Sequence, residues 1–574
     1  MAEGTAQNSN QTVADRIAAA FRRHGITVTF GQSIPTAFHL AAPHFGIKQA
    51  VYRTENAGGA MADAYARISN RVSVVTAQNG PAATLLVPPL AEAIKASVPV
   101  IALVQEVPRK QADKNAFQEF DHIALFQPVA KWVRRVDVAE RIEEYVDMAV
   151  VAATSGRPGP AVLLVPLDVL SLPARAEALR HDVYGTFPLD RVVADPAQVA
   201  KAADLLAKAR APLVVAGGGV HLSDASAALA RLQEECALPV GTTVMGKGAV
   251  AETHPLSLGV VGYFMGNGSR TEAMRSLVTD ADVILFIGAR TNQNGTDSWT
   301  LYPDTAQYIH LDIDGGEVGR NYEAVRLVGD ARLTIEALTE ALKARDLSAR
   351  KAARQGVEGQ IAAGVVAWRQ KIAAITTEDR APIRPERLMA ELDAVLPEDG
   401  IVVADASYSS IWIANYLTAR RVGQRFLTPR GMAGLGWGLP FAIGAQFAAP
   451  EARVVCVSGD GGFGHVWAEM EMLARHKLPV TLIILNNQIL GYQKHGETVS
   501  FDAYTEAVDF APVDHAAIAR AAGIAGVRVE RPGDFREALS AAFASGKPTL
   551  IEVVIDENAH PPITSFGSRF GNPF

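Results

Sequence analysis

Two residues 27 positions apart, Asp460 and Asn487, carry the strongest chemical signal in this chain of 574 residues. Asp460 lies in Gly459-Asp460-Gly461-Gly462-Phe463 and Asn487 in Asn486-Asn487-Gln488. Each follows a hydrophobic run of strand type, Val454-Val455-Cys456-Val457 before the first and Thr481-Leu482-Ile483-Ile484-Leu485 before the second. In a parallel sheet such strand ends lie side by side at the carboxyl edge, where α/β folds bind ligands. A carboxylate, an amide oxygen and a backbone carbonyl are hard oxygen ligands. They suit Mg²⁺, which keeps part of its shell for water and substrate phosphates. The glycines let a diphosphate approach the backbone. A glycine-rich turn by itself is weak ground; the whole constellation is what points to this chemistry.

The stretch resembles the thiamine diphosphate (ThDP) binding motif: Gly-Asp-Gly, a gap, then Asn-Asn. That resemblance implies Asp460, Asn487 and the carbonyl of Ile489 as metal ligands. It also implies Gly459, Asp460, Gly461, Gly462, Asn487, Ile489, Leu490 and Gly491 around the cofactor. A second segment, Arg53-Thr54-Glu55-Asn56-Ala57-Gly58-Gly59-Ala60, reads as a strand ending at Glu55 and a helix of small residues beginning there. With both segments in view, the chain is similar over almost its full length to the acetolactate synthase-like superfamily of ThDP enzymes. The resemblance implies a pyrimidine-binding, a central and a diphosphate-binding domain. It implies a homodimer or homotetramer with active sites between subunits.

In that family the glutamate at the Glu55 position hydrogen-bonds the cofactor's aminopyrimidine. A carboxyl there favours the imino tautomer, which removes the thiazolium C2 proton and generates the ylide. Taken alone, Glu55 is equally an acid at a helix start, favoured by the helix dipole. Thr428 to Pro440 resembles the family's glycine-rich cofactor segment; Gly434 and Leu435 match it, with Leu435 where a large apolar side chain bends the cofactor. Asp405-Ala406-Ser407-Tyr408-Ser409-Ser410 follows a strand and should meet the diphosphate, with Ser407, Tyr408 and Ser409 where relatives carry Gly-Gln-His; hydroxyls and N–H groups at a helix start suit that task. Phe117 and Gln118 resemble the loop that lines the substrate cavity. In the central block, Gly217-Gly218-Gly219 and Gly288-Ala289-Arg290 match places where acetolactate synthases hold FAD. FAD, ADP, CoA or no nucleotide all remain open there, since a glycine-rich turn does not specify the ligand.

The chain departs from the synthase pattern at two places. Asn294 stands where synthases carry an arginine that anchors the second 2-oxo acid, and losing a cation weakens recognition of an anion. Gly496 stands where they carry an acceptor-selecting tryptophan. Nearby Tyr492, Gln493, Lys494, His495 and Glu497 are candidate acids and bases, as are His122 and Arg430, though each alone also reads as a solvated polar residue. The expected activity is ThDP- and Mg²⁺-dependent decarboxylation of a 2-oxo acid with carboligation. The alternative is a 2-hydroxy ketone or 2-hydroxyacyl-CoA lyase using the same ylide. A non-catalytic relative is disfavoured by the joint presence of Glu55, Asp460 and Asn487. A nucleotide-dependent oxidoreductase lacks a full Gly-x-Gly-x-x-Gly in the first block.

The elements that must position these groups follow from pattern. Strand-type runs at Ile26–Phe30, Ser73–Thr76, Val98–Leu103 and Ala161–Val165 alternate with helical segments, which predicts an α/β fold of doubly wound parallel sheets. The expected domains are 11–182 (pyrimidine-binding), 196–342 (central) and 382–557 (diphosphate-binding). An irregular linker covers 183–195, a helical connector 343–379, a leader 1–10, and a loose tail or flap 558–574. The net charge of −7 and the lack of a basic block argue against a nucleic-acid partner. No apolar run reaches membrane-spanning length, and two unpaired cysteines suit a reducing, cytoplasmic compartment.

Overall fold

The computed structural model describes residues 11–174 and 180–566. The expected leader and the end of the expected tail, 567–574, lie outside the described residues. Three six-stranded sheets follow one another along the chain. Every strand pairing within them is parallel. With strands numbered in chain order inside each sheet, the first and third share the order 2-1-3-4-6-5, whereas the second runs 6-5-4-1-2-3.

In the first sheet, strands 1, 3 and 4 are Val28–Phe30, Ser73–Gln78 and Val100–Glu106; in the third they are Ile401–Ala404, Val454–Gly459 and Thr481–Asn486. Strands 1 and 3 are neighbours in both, and the chain leaves them for opposite flanks of the sheet. That is the topological switch point, where loops part and a crevice opens. The central strands are buried on both faces, which is why they read as continuous apolar runs. Leu482, Ile483 and Ile484 are fully buried, each contributing about 1.5–3 kcal/mol relative to exposure.

The chain divides into two compact units. One holds the first sheet together with the short segments 430–434 and 443–450; the other holds the second and third sheets. In the first unit the helix Glu55–Ser69 starts at Thr54, whose hydroxyl accepts from the N–H of Ala57 at 3.3 Å. Its glycines are a packing requirement. A Cβ on Gly58 would lie 2.2 Å from the Tyr52 ring, and one on Gly59 would lie 2.5 Å from Pro89. On the same helix Asp63 and Arg67 pair at 2.6 Å, and Arg67 also reaches Glu92. Glu92 accepts from the N–H of Gly431 at 2.8 Å and from that of Met432, so this buried network ties the segment 430–434 to the Glu55 helix.

The expected linker carries no helix or strand. It is nonetheless pinned, with Phe187 buried and the N–H of Val72 donating to Gly185 at 2.8 Å. The helical connector is one helix, Ser348–Thr377. The described part of the expected tail is packed: Phe566 is buried and the N–H of Thr564 donates to Tyr263 at 3.0 Å. No helix among the described residues is long and apolar enough to cross a membrane.

Candidate active site

At the switch point of the third sheet lies an open cleft of about 520 Å³. Three strand ends build it. Asp405 to Ser409 follow strand 1, Asp460 to Gly462 follow strand 3, and Asn487 to Gly491 follow strand 4. The structure thus brings together Ser407, Tyr408, Ser409, Leu435, Gly459, Asp460, Gly461, Gly462, Asn487, Ile489, Leu490 and Gly491. Gly434 is half-buried and outside this lining.

Three polar groups converge in the cleft. One terminal atom of the Asn487 amide stands 3.2 Å from Oδ1 of Asp460 and 3.1 Å from the carbonyl oxygen of Ile489. Taken as nitrogen, it donates to both. Taken as oxygen, it stands against two further oxygens, an arrangement that a bound cation would relieve. An octahedral ion with oxygen ligands at about 2.1 Å places adjacent ligands about 3 Å apart, so the spacing suits a small hard cation. Burial pushes the Asp460 carboxyl up to about 6, and the N–H of Gln488 is a donor to it at 2.9 Å. A buried carboxylate is costly without compensation, and a cation here would supply it. Among the described residues no three His, Cys, Asp or Glu side chains cluster to hold a metal; this convergence of carboxylate, amide and carbonyl belongs to another class.

The two adjacent asparagines divide the work. Asn487 faces Asp460. Asn486 turns away and donates to Glu552 at 2.7 Å, which also bonds His515 and the N–H of Ala516. The glycines beside Asp460 meet protein atoms. A Cβ on Gly461 would lie 2.8 Å from Leu490 and Phe510, and one on Gly462 would lie 2.3 Å from the Asp405 carboxylate.

Asp405 heads the segment that the sequence places against the diphosphate, and the structure gives its side chain a different task. Instead of facing a ligand, its buried carboxylate accepts from the N–H groups of Ala406, Gly436 and Trp437 and from the Ser458 hydroxyl, at 2.8–3.2 Å. It fastens the Leu435 segment to the ends of strands 1 and 3. The available signal was a carboxylate directly after an apolar strand and before small residues. Ser407, two residues on, has φ 68° and ψ −144°, a region that only glycine enters without strain. Tyr408 starts the following helix, and its hydroxyl lies 2.6 Å from Nδ1 of His495. Burial takes His495 down to about 4 and raises Tyr408 well above the ordinary tyrosine range. The pair therefore consists of a neutral phenol and a neutral imidazole near neutral pH.

The first unit presents its own carboxyl edge. Glu55 is the first residue of its helix and half-buried, and burial raises its carboxyl above the usual range. Phe117 is 83% exposed. Gln118 has φ 61°, its carbonyl accepts from the Asn79 amide at 2.9 Å, and its buried Oε1 has no hydrogen-bond partner among the described residues.

Residues 11–125 match the thiamine pyrophosphate enzyme N-terminal TPP-binding domain, 199–338 the central domain and 405–553 the C-terminal TPP-binding domain. The chain is 32% identical to a probable acetolactate synthase large subunit of Methanocaldococcus jannaschii, across 97% of this chain and 94% of that protein. It is 33% identical to the acetolactate synthase large subunit of Parasynechococcus marenigrum (98% and 91% covered) and 30% identical to isozyme 2 of Escherichia coli (95% of each). The chain belongs to the acetolactate synthase-like thiamine pyrophosphate enzymes.

Within this thiamine pyrophosphate enzyme two residues expected to act as acids or bases are otherwise engaged. His122 is buried with both ring nitrogens bonded, one to Glu106 and one to the N–H of Gly80; it has no nitrogen left for a substrate. Glu497 accepts from Gln493 and from the N–H of Thr505 at 2.8 and 2.7 Å. Those bonds lower its carboxyl below the usual range, so it ties down the loop after its helix and is a poor acid. In the central domain the glycine run is explained by packing. A Cβ on Gly217 would lie 2.2 Å from the carbonyl oxygen of Gly288, and the N–H groups of Gly217 and Gly219 already donate to Ile287 and Gly288. Asn294 is exposed on a short turn, and a side chain at Gly496 would enter open space.

Proposed function

We propose that this enzyme uses ThDP and Mg²⁺ to decarboxylate a 2-oxo acid and to join the remaining acyl unit to a second carbonyl compound. The observation that carries this reading is the convergence of the Asp460 carboxylate, the Asn487 amide and the Ile489 carbonyl in a cleft at the switch point. In this reading Asp460, Asn487 and the Ile489 carbonyl hold Mg²⁺. Ser407, Tyr408, Ser409, Gly459, Gly461, Gly462, Leu490 and Gly491 receive the diphosphate, and Gly434 is a further cofactor contact in this reading. Leu435 supports the bend of the cofactor. Glu55, with its carboxyl raised by burial, shares a proton with the aminopyrimidine nitrogen. Phe117 and Gln118 face the substrate. The bound cofactor supplies an electron sink beside the reacting carbonyl carbon. The domain limits proposed are 11–182, 196–342 and 382–557, and the assembly a homodimer or homotetramer in the cytoplasm.

The acceptor is where this chain parts from its relatives. An exposed Asn294 offers no cation for a carboxylate, and Gly496 leaves its space open. Both favour a neutral acceptor such as an aldehyde over a second 2-oxo acid. The test is a panel of pyruvate, longer and aromatic 2-oxo acids, 2-hydroxy ketones and 2-hydroxyacyl-CoAs with ThDP and Mg²⁺, with product identification. Carbon dioxide from a 2-oxo acid, dependent on aldehyde for ligation, is expected. Rapid acetolactate formation from pyruvate alone would refute the acceptor assignment. Turnover confined to 2-hydroxy compounds would replace the decarboxylase reading by the lyase. Glu55→Gln is expected to abolish turnover while ThDP stays bound, as calorimetry would show; retained turnover would remove the role of Glu55.

A further inference from the structure

We propose that Glu106 and His122 are a positioning pair that sets Gln118 for the reaction, acting through the backbone of Gly80. The inference rests on the reading of Gln118 as a substrate-facing residue and adds what holds it there.

The hydrogen bonds determine the state of the histidine. The N–H of Gly80 donates to Nε2 of His122 at 2.9 Å, so Nε2 carries a lone pair. The proton of a neutral imidazole must then sit on Nδ1, which donates to Oε1 of Glu106 at 2.7 Å. Both side chains are buried, His122 at 2% and Glu106 at 6% exposure. In that setting an unpaired polar group is costly, so one tautomer is held. Glu106 is the last residue of its strand and Gly80 the second residue beyond the neighbouring strand. The imidazole is therefore a brace between two strand ends.

Gly80 passes this geometry on. It has φ 69° and ψ −123°, and a Cβ there would lie 2.7 Å from Cβ of Gln118 and 2.8 Å from its carbonyl oxygen. The two backbones touch with nothing between them. Asn79, beside Gly80, donates its amide to the carbonyls of Phe117 and Gln118 at 3.2 and 2.9 Å. From the other side Glu119 accepts from the N–H groups of Asp113 and Ala116 at 2.7 and 2.9 Å. Gln118 itself holds φ 61°, a conformation that costs a non-glycine residue of the order of 1 kcal/mol and persists only where neighbours over-determine it. What the strain achieves is the placement of one amide, whose Oε1 is buried and without a protein partner among the described residues. Glu106 and His122 stand at the root of that chain of contacts.

The two amide substitutions of His122 separate its two bonds. Gln reaches the Nε2 position and can accept from Gly80; Asn reaches only the Nδ1 position and can serve only Glu106. In the holoenzyme with pyruvate, His122→Asn is expected to lower kcat by about ten- to a hundredfold, the scale of a small misplacement of a reacting group, with ThDP affinity unchanged. His122→Gln should recover most of that loss. Combining Gln118→Ala with His122→Asn should add no further loss, since the two act in series. Nitrogen NMR of histidine-labelled protein should report His122 as the Nδ1–H tautomer. Equal kcat for the Asn and Gln variants, additive losses in the double variant, or an Nε2–H tautomer would overturn the proposal. If Gln118→Ala leaves kcat and KM intact, the reading of Gln118 falls and the proposal with it. If Gln118→Ala is slow but His122→Asn is normal, only the positioning pair falls.

Discussion

Replacing Asp405 by alanine tests how the cleft is built. The carboxylate is 1% exposed and accepts from the N–H groups of Gly436 and Trp437 at 3.1–3.2 Å. It also accepts from the Ser458 hydroxyl at 3.1 Å. Alanine removes the acceptor and keeps the donors buried. Each orphaned N–H costs about 1–3 kcal/mol, so the three at Ala406, Gly436 and Trp437 together cost about 6 kcal/mol. The Ser458 hydroxyl escapes, because it can turn to the carbonyl of Gly459 at 3.2 Å. Asp405→Asn keeps an oxygen for the backbone donors and offers its NH₂ to Ser458, so about 1 kcal/mol is expected. The chain is too large for a single two-state unfolding energy; the direct assay is hydrogen exchange at Gly436 and Trp437, read beside ThDP affinity. If a third of the loss appears as disorder of the Leu435 segment, ThDP binds about thirtyfold more weakly to the alanine variant. Alanine-variant amides that stay protected, with parental ThDP affinity, would refute this account of Asp405.

Three further outcomes are expected. Ser407→Gly relieves a strain of about 1–3 kcal/mol against a glycine entropy cost of about 0.5–1 kcal/mol, so a modest rise in melting temperature is expected, and a fall would contradict the strain argument. Gly496→Trp fills open space; parental stability with products shifted toward 2-oxo acid acceptors is expected by chromatography, and an unshifted product profile would remove residue 496 from acceptor choice. Burial pushes the Asp147 carboxyl up, but hydrogen bonds from His24, Arg180 and Arg23 outweigh it and bring it to about 2. A carboxyl lowered on folding stabilises fully above its unfolded value near 4 and loses that contribution as pH falls toward 2. Asp147→Asn should therefore flatten this part of the acid denaturation profile, and an unchanged profile would deny the pairing a role.

Much of the fold was legible because parallel strands buried on both faces leave long apolar runs, as at Thr481–Asn486. The cleft was legible because Asp460 and Asn487 end two such runs. What sequence could not show was direction. His122 looked like an acid or base, and only its two bonded nitrogens reveal a brace. Glu497 looked free, and only the Thr505 N–H shows that it ties a loop. Asp405 read as part of the diphosphate segment because its donors, Gly436 and Trp437, lie some thirty residues away in the chain. Gly462 read as room for a diphosphate, but the carboxylate of Asp405 also requires it. Residue type announces capacity for chemistry; long-range hydrogen bonds decide whether that capacity faces a ligand or the protein.

The shared strand order of the first and third sheets has a consequence for how such a molecule can change. Equivalent locations exist in both. The residue after strand 3 is Asn79 in one and Asp460 in the other; the last residue of strand 4 is Glu106 in one and Asn486 in the other. At one location an amide steadies a loop where its counterpart is a buried carboxylate beside the Asn487 amide. At the other, a carboxylate orients a histidine where its counterpart is an amide locked to Glu552. The framework is indifferent to what its edge does. Loops exchanged between matching edges would thus arrive in a compatible setting, and new chemistry can be written into this protein by grafting strand ends while the sheets beneath stay as they are.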